Sequence, residues 1–235
     1  MSTFTIEYQL VLPGKQEVIY SLQFDQESIQ LINNIPPSLP DWTKLTFNQC
    51  SHCPLAPDTD PYCPLAANLV NIIQHFEGLL SYDSLELKVI TERRTISKST
   101  SVQEALGAII GLVIPTSGCP HTTYFRPMAR YHLPLASTDE TIYRATSMYL
   151  LAQYFRKIAG KKAELDFQGL KGIYQNMQIL NGAIAERLRS ASKTDSSVNA
   201  VILLDMFALA LPYAIEESLA EINNLFTPFL NADCT

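Results

Sequence analysis

The sequence has few charged residues and little glycine, and both shortages limit what the protein does. Asp, Glu, Lys and Arg make up 17% of the 235 residues, the formal net charge is -6, and no stretch is rich in Lys or Arg. Because nucleic-acid surfaces depend on clustered basic side chains, we expect no nucleic-acid partner. Only 9 glycines are present, and there is no Gly-rich phosphate loop, no G-x-S-x-G and no H-E-x-x-H. The sequence therefore leaves open whether the protein is an enzyme.

The chain also lacks a long uninterrupted hydrophobic run. Its longest apolar stretch, residues 200–215, contains Asp205 and Pro212. A membrane-spanning helix needs about 20 apolar residues, so we expect a buried helix there and no transmembrane segment. The first residues alternate between polar and apolar and do not resemble a signal peptide. With 5 cysteines and no secretory signal, we expect a cytoplasmic protein whose thiols stay reduced.

Hydrophobic periodicity predicts an α+β fold. Residues 3–24 alternate around Pro13-Gly14, which is typical of a hairpin, and residues 43–47 and 84–96 are expected as further strands. Capping boxes predict helices that begin after Ser101 and Ser137. We predict a small antiparallel sheet with two helices, followed by an α-helical C-terminal layer of about three long helices. The expected divisions are an α+β half over 1–115, a Pro-rich Cys/His connecting segment over 116–137 and a helical half over 138–235, or one continuous domain.

Four of the 5 cysteines lie in short segments in which three of them directly precede proline. Cys50 and Cys53 form a C-x2-C turn, Cys63 follows in a Tyr-Cys-Pro segment, and Cys119 lies in the connecting segment. Thiolates are strong ligands for soft metals, and a C-x2-C turn places two of them on one ion with little strain. We predict one metal site with four thiolates, or with three thiolates and a histidine.

The metal and the fourth ligand are not fixed by these residues. Zinc is expected for a closed four-ligand site, and a 4Fe-4S cluster is the alternative because proline often follows a ligating cysteine in iron–sulfur proteins. His121 or His52 completes the site if one ligand is not a cysteine. Two other interpretations stay open: reduced cysteines that only fill the core, and a redox-active pair or structural disulfide.

The connecting segment also carries Arg126, Arg130 and His132. Guanidinium groups bind carboxylate or phosphate with two hydrogen bonds, so the arginines are candidates for holding an anion, and His132 is a candidate for orienting a ligand. The alternatives are that the arginines pair with acidic residues and that His132 only packs.

Asp205 is the one carboxylate within the apolar stretch 200–215. An unpaired buried charge is costly, so we expect Asp205 to be hydrogen-bonded or paired, with Arg144 or Arg187 as candidate partners; the alternative is a catalytic acid with a raised pKa.

Three segments resemble those of an uncharacterised bacterial protein family, a domain of unknown function. They are Cys50-Ser-His-Cys53-Pro, Tyr62-Cys63-Pro-Leu-Ala and Gly118-Cys119-Pro-His-Thr-Thr-Tyr-Phe-Arg-Pro-Met-Ala-Arg-Tyr-His-Leu-Pro, and residues 195–205 are similar too. The resemblance would extend over nearly the whole chain. It implies a bacterial cytosolic origin and brings no activity or cofactor with it.

Three functions from different classes fit these residues. The favoured one is a non-catalytic binding or regulatory module with a structural Cys-ligated metal, whose partner is an unknown protein or a small anionic ligand. The second is an iron–sulfur redox or sensor protein. The third is a metal-assisted enzyme, in which His121 or His132 lies near an open metal position and the two arginines hold an anionic small molecule.

Overall fold

A five-stranded antiparallel sheet forms in the N-terminal half of the protein, in the order β3-β2-β1-β4-β5. The structure is a computed structural model that describes residues 2–12, 17–32, 34–191 and 195–232. The strands are Thr3–Val11 (β1), Val18–Asp25 (β2), Leu31–Ile32 (β3), Ser84–Ile90 (β4) and Thr95–Ser101 (β5). The α+β class and its small antiparallel sheet are therefore confirmed. The Pro13-Gly14 turn expected between β1 and β2 lies outside the described residues.

Alternation along the strands turns one face of the sheet toward the core. Every second residue of β1 is buried, and β2 and β4 repeat the pattern. In the strand register, Tyr8 lies opposite Tyr20 on one side and Val89 on the other. The buried set is Phe4, Ile6, Tyr8, Leu10, Tyr20, Leu22, Phe24, Leu85, Leu87 and Val89. Because apolar residues pair with apolar residues across strands, the buried face is continuous over the three central strands.

Two strand predictions differ from the structure. Residues 43–47 do not form a strand: Asp41–Thr43 is a 3-10 helix, and Lys44 makes only a single bridge to Tyr62. The backbone N–H groups of Thr43, Lys44 and Phe47 donate to carbonyls three residues earlier in the chain, so they form turns instead of a strand ladder. The stretch 84–96 is not one strand, since the chain turns after β4 and returns as β5. That strand, TISKSTS, is largely exposed and has no apolar alternation that the sequence could reveal.

Seven α-helices are formed by the described residues. They are Pro64–His75 (α1), Val102–Thr116 (α2), Arg126–Arg130 (α3), Thr138–Ile158 (α4), Gln168–Ala191 (α5), Ser196–Ile222 (α6) and Thr227–Asn231 (α7), and two further 3-10 helices span Pro120–Phe125 and Asn223–Phe226. Both predicted capping boxes are present, Ser101 with Glu104 and Ser137 with Glu140. The long helices α4, α5 and α6 form the predicted C-terminal layer. Within the described ranges no single helix has the length and apolarity of a membrane span; α2 reaches them only together with residues 120–130, across a bend of 109°.

Helix α2 lies between the sheet and the helical layer. It contacts α1, β4 and β5, and also packs against α6. Gly107 and Gly111 face α6: a Cβ atom on either would lie 3.8 Å from its nearest neighbour, the carbonyl oxygen of Ala200 or a methyl group of Leu204. The missing side chains let the two helices approach closely. The apolar core therefore runs without a break from the sheet to α6.

We expect the Gly111→Ala substitution to raise the free energy of unfolding by about 0.5–1 kcal/mol, because alanine is the better helix former and its methyl group meets only ordinary contacts. Urea denaturation measures the change. Gly111→Phe is the contrasting variant, since its ring has to displace Leu204, and it should destabilise. A loss of stability in Gly111→Ala would mean that α2 and α6 lie closer than described.

Candidate metal centre

The predicted cysteine ligands come from three segments of the chain. Cys50 and Cys53 lie in the loop before α1, where the N–H of Cys53 donates to the carbonyl of Cys50 over 3.0 Å. Cys63 caps α1, and its N–H donates to the carbonyl of Thr43 over 2.8 Å. Cys119 precedes the 3-10 helix after α2 and is buried. None of these four described cysteines is in a disulfide.

The four sulfur atoms lie close enough for the charge on one to act on another. Burial, together with the smaller effect of the thiolates of Cys63 and Cys53, raises the pKa of Cys50 to about 11. Burial is also the largest cause that raises the pKa of Cys119 to about 12; the other three thiolates contribute, and the backbone N–H of His121, which bonds its sulfur, acts in the opposite direction. Cys50 and Cys119 are therefore protonated thiols at neutral pH, and an ion bound there displaces their protons.

The sulfur atoms do not surround a common centre in this structure. Across the described parts of the chain, no group of three or more His, Cys, Asp or Glu side chains has the arrangement of a ligand set. A thiol swings about one side-chain bond, and each well of that rotation places the sulfur at a different position. Binding of one ion therefore requires the thiols to turn toward each other.

The two candidate histidines, His52 and His121, stack on each other. Their rings are 3.9 Å apart and nearly parallel, at 6°. Nε2 of His121 lies 2.8 Å from the carbonyl oxygen of His52, and Nε2 of His52 lies 3.1 Å from that of Asn176 on α5. Because a carbonyl only accepts, both Nε2 atoms carry the proton. Nδ1 of His52 is buried without a partner among the described residues, and this acceptor nitrogen resembles that of a ligating histidine held by a carbonyl.

Arg187, on α5, is a member of this site that the sequence reasoning assigned elsewhere. Its side chain is only 2% exposed. The guanidinium donates to the carbonyl oxygens of Trp42, Lys44 and Leu45 over 2.6, 2.8 and 3.1 Å. These carbonyls belong to the irregular segment that leads to the C-x2-C turn. Arg187 therefore fastens that segment to the helical layer.

The charge of Arg187 acts on the cysteines and has no carboxylate partner among the described residues. Burial lowers its pKa, and the thiolates of Cys63, Cys50 and Cys53 act in the opposite direction. Among the described residues, the ion pairs are Lys44–Asp41, Lys162–Glu164 and Arg189–Glu186, none of which includes it. A buried cation without a counter-ion is unfavourable, so this position favours negative charge on the nearby sulfur atoms.

The ion pair expected for Asp205 is absent from the described residues. Arg187 is bound to carbonyls, and Arg144 donates from Nη2 to the carbonyls of Met128 and Tyr131 over 3.0 and 2.9 Å. Oδ1 of Asp205 is buried and has no hydrogen-bond partner among the described residues. The last carbonyls of a helix and those of irregular segments lack partners within their own element, and both guanidinium groups bind such carbonyls instead of the carboxylate.

Of the three residues Arg126, Arg130 and His132, the structure brings the last two together, because both line a small cavity beside β1. Cζ of Arg130 lies 4.4 Å from the centre of the Phe4 ring. Nε of Arg126 is buried and has no hydrogen-bond partner among the described residues, and neither arginine forms an ion pair with them. His132 forms a short hydrogen bond with the hydroxyl of Tyr8, which itself donates to the carbonyl of Ala108 over 3.2 Å. Nε2 of His132 is therefore the donor to Tyr8.

His132 makes the stability depend on pH. Burial lowers its pKa from 6.5 to about 3, and the charge of Arg144 contributes. Below about pH 6.5, His132 becomes protonated in the unfolded chain but stays neutral in the folded protein. The free energy of unfolding therefore falls by up to about 1.4 kcal/mol for each pH unit of acidification. We expect His132→Gln, which keeps a donor for Tyr8 and does not titrate, to flatten this slope in denaturation curves between about pH 7 and 5. The exposed His75→Gln is the matched control, and equal slopes in all three proteins would assign the acid sensitivity to another group.

The comparison with known proteins identifies a family. Residues 6–227 match the domain of unknown function DUF6901. Since this match covers most of the chain, the protein belongs to that family, and a domain of unknown function is consistent with the expected uncharacterised family. No curated protein and no solved structure matches the chain.

Proposed function

We propose that this DUF6901 member is a metal-binding protein in which Cys50, Cys53, Cys63 and Cys119 hold one structural ion. Zinc is the expected ion, and the protein acts as a non-catalytic binding or regulatory module in a bacterial cytosol, where thiols stay reduced. The observation that supports the proposal is that cysteines from three segments of the chain lie near enough to influence one another and the buried guanidinium of Arg187, which pairs with no carboxylate among the described residues.

Charge favours an ion at this place. Four thiolates outweigh the positive charge of one zinc ion, so the completed site is anionic. Arg187 is buried, faces three of the thiols and has no carboxylate partner among the described residues. An anionic centre beside it compensates its charge, and the guanidinium in turn offsets the excess charge of the thiolates.

The ion would tie together parts of the fold that share few regular hydrogen bonds. Cys50 and Cys53 lie in a loop, Cys63 caps α1, and Cys119 follows α2. Joined through one ion, these positions hold the irregular segment 40–63 against the segment after α2. Metal binding then contributes folding free energy directly, as in other structural sites.

An iron–sulfur cluster on the same four cysteines is the second candidate. Its support is the direct succession of Cys and Pro at Cys53, Cys63 and Cys119. With such a cluster the protein would be a redox or sensor module instead of a module with a structural metal. The visible absorption spectrum distinguishes the two candidates, because a zinc–thiolate protein has no visible absorption.

Elemental analysis of anaerobically purified protein, together with its visible spectrum, tests the proposal. We expect one zinc per chain and a colourless solution. Bound iron together with broad visible absorption would instead identify an iron–sulfur cluster. Protein that purifies without metal and takes up neither added zinc nor a reconstituted cluster would refute both.

A further inference from the structure

A cavity of about 600 Å³ lies among α2, α3 and the three long helices, and the proposed metal centre does not use it. Small-molecule sites in proteins have volumes of roughly 300–1,000 Å³ and are mainly apolar with a few placed polar groups. This cavity fits that description, since its walls include Ile114, Phe125, Met128 and Leu204. The polar side chains in these walls determine which class of ligand the cavity binds.

Helix α5 supplies one wall of the cavity, on which polar and apolar side chains alternate. Tyr174, Met177 and Asn181 all line the cavity, and their spacing of three and four residues puts them on one face of the helix. Tyr174 and Asn181 are two turns apart, or about 10 Å along the axis. The wall therefore presents a hydroxyl group, an apolar side chain and a carboxamide in succession.

A positive charge marks the Tyr174 end. Burial lowers the pKa of His132 and raises that of Tyr174, and the charge of Arg144 draws both pKa values down, so the three side chains are neighbours. Arg144 uses Nη2 for two carbonyls, and its Nε and Nη1 have no hydrogen-bond partner among the described residues. Guanidinium N–H groups beside a phenol hydroxyl suit a carboxylate.

The other charged residues of the lining carry both signs, and the charge of Glu140 acts on Arg144. Glu104 and Glu140 also border the cavity, but each carboxylate is held in a capping box. Lys98 adds a second positive charge to the lining. Arg144 is thus the cation of the lining that lies beside Tyr174, with N–H donors that no described residue accepts.

Asn181 marks the opposite end with an unmet hydrogen bond. The residue is 2% exposed, and its Oδ1 is buried without a partner among the described residues. Buried polar atoms in folded proteins are nearly always paired, so an orphaned acceptor that lines a cavity calls for a donor from a bound molecule. A hydroxyl or N–H group supplies one.

We propose that this cavity binds a small amphipathic acid, with its carboxylate at Arg144 and Tyr174, its unbranched apolar body along Met177, and a hydrogen-bond donor at Asn181. The site is independent of the metal centre. It is specific for the combination of two polar ends about two helical turns apart. Molecules with only one of these ends bind more weakly.

Isothermal titration calorimetry of the full-length protein with ω-hydroxydecanoate tests the site. We expect saturable binding of one molecule per chain, and weaker binding of decanoate and of the corresponding terminal diol. Asn181→Leu keeps the shape but removes the acceptor, so it should weaken ω-hydroxydecanoate roughly 2–10-fold and leave decanoate unchanged. Equal losses for both acids would overturn the assignment of the donor end.

A pair of tryptophan variants on α6 controls for location. Leu203 lines the cavity and is 37% exposed, whereas Leu209 is 54% exposed and is not among the described residues that line it. Leu203→Trp should abolish binding, Leu209→Trp should retain it, and melting temperatures verify that both variants fold. Absence of binding by the unmodified protein, or binding that survives in Leu203→Trp, would refute the proposal.

Discussion

The Arg187→Met substitution is expected to lower the free energy of unfolding by about 3–5 kcal/mol. Methionine fills similar space but donates no hydrogen bond, so the carbonyls of Trp42, Lys44 and Leu45 lose their partner. An unsatisfied buried carbonyl costs about 1–3 kcal/mol, and water reaching the loosened segment recovers part of the loss. Urea denaturation at neutral pH measures the change.

Two variants show whether the effect comes from the buried guanidinium. Arg189→Met removes an exposed arginine two residues away, which pairs only with Glu186 at the surface, and should change stability by less than about 1 kcal/mol. Arg187→Lys keeps the charge, but its compact ammonium group does not reproduce the planar fork that reaches three carbonyls. It should therefore recover only part of the loss. Equal stability of the Arg187 and Arg189 variants would contradict the described contacts.

The second large effect is expected for Cys119→Ser, which should lower the metal content and the melting temperature together. Cys119 is separated from Cys63 by two helices and a hairpin, so an ion that joins them closes a long loop. A ligand that binds only the folded state stabilises it by about 4 kcal/mol at a thousand-fold excess over its dissociation constant. Without this ligand, residues 116–137 should become sensitive to protease. Elemental analysis, calorimetry and limited proteolysis on one preparation measure the three changes.

Cys234→Ser is the matched control, because Cys234 is far along the chain from the Cys-Pro segments. It should keep both metal and stability. If Cys119→Ser keeps its metal while Cys50→Ser loses it, the fourth ligand is a histidine. His52→Phe, which retains a ring to stack on His121, then identifies the ligand: loss of metal assigns Nδ1 of His52, and retention assigns His121.

Local signals in the sequence predicted much of the fold, whereas the elements that were missed depend on contacts with residues distant in the sequence. The capping boxes at Ser101 and Ser137 are complete within four residues, and both are found in the structure. Strand β5 is different, because its serines and threonines pair only through the backbone of β4. Because β5 joins the sheet only through its hydrogen bonds with β4, no hydrophobic pattern within its own residues predicts a strand.

The same distinction applies to the candidate site. Spacing alone singled out the cysteines, whereas Arg187 and Asn181 were not recognised as parts of a site. A signal for both exists: they fall in step with the buried face of α5, which includes Leu170, Met177 and Ile184. A polar residue in phase with an apolar stripe has to be satisfied by something. Its partners, such as the carbonyls of residues 42–45, lie more than a hundred positions away and are revealed only by the fold.

The position of α2 has a consequence for synthesis on the ribosome. Its outer side, with Gly107 and Gly111, is covered by α6, which is made roughly a hundred residues later. At about 5–20 residues per second, the nascent chain spends roughly 5–20 s with this apolar side exposed. All five strands have been synthesised when α2 emerges, so α2 can already pack on the sheet. In this early intermediate one side of α2 is buried, and the other side stays exposed until α6 is synthesised. Chaperone binding during translation is therefore expected to peak after α2 has emerged and to end with α6.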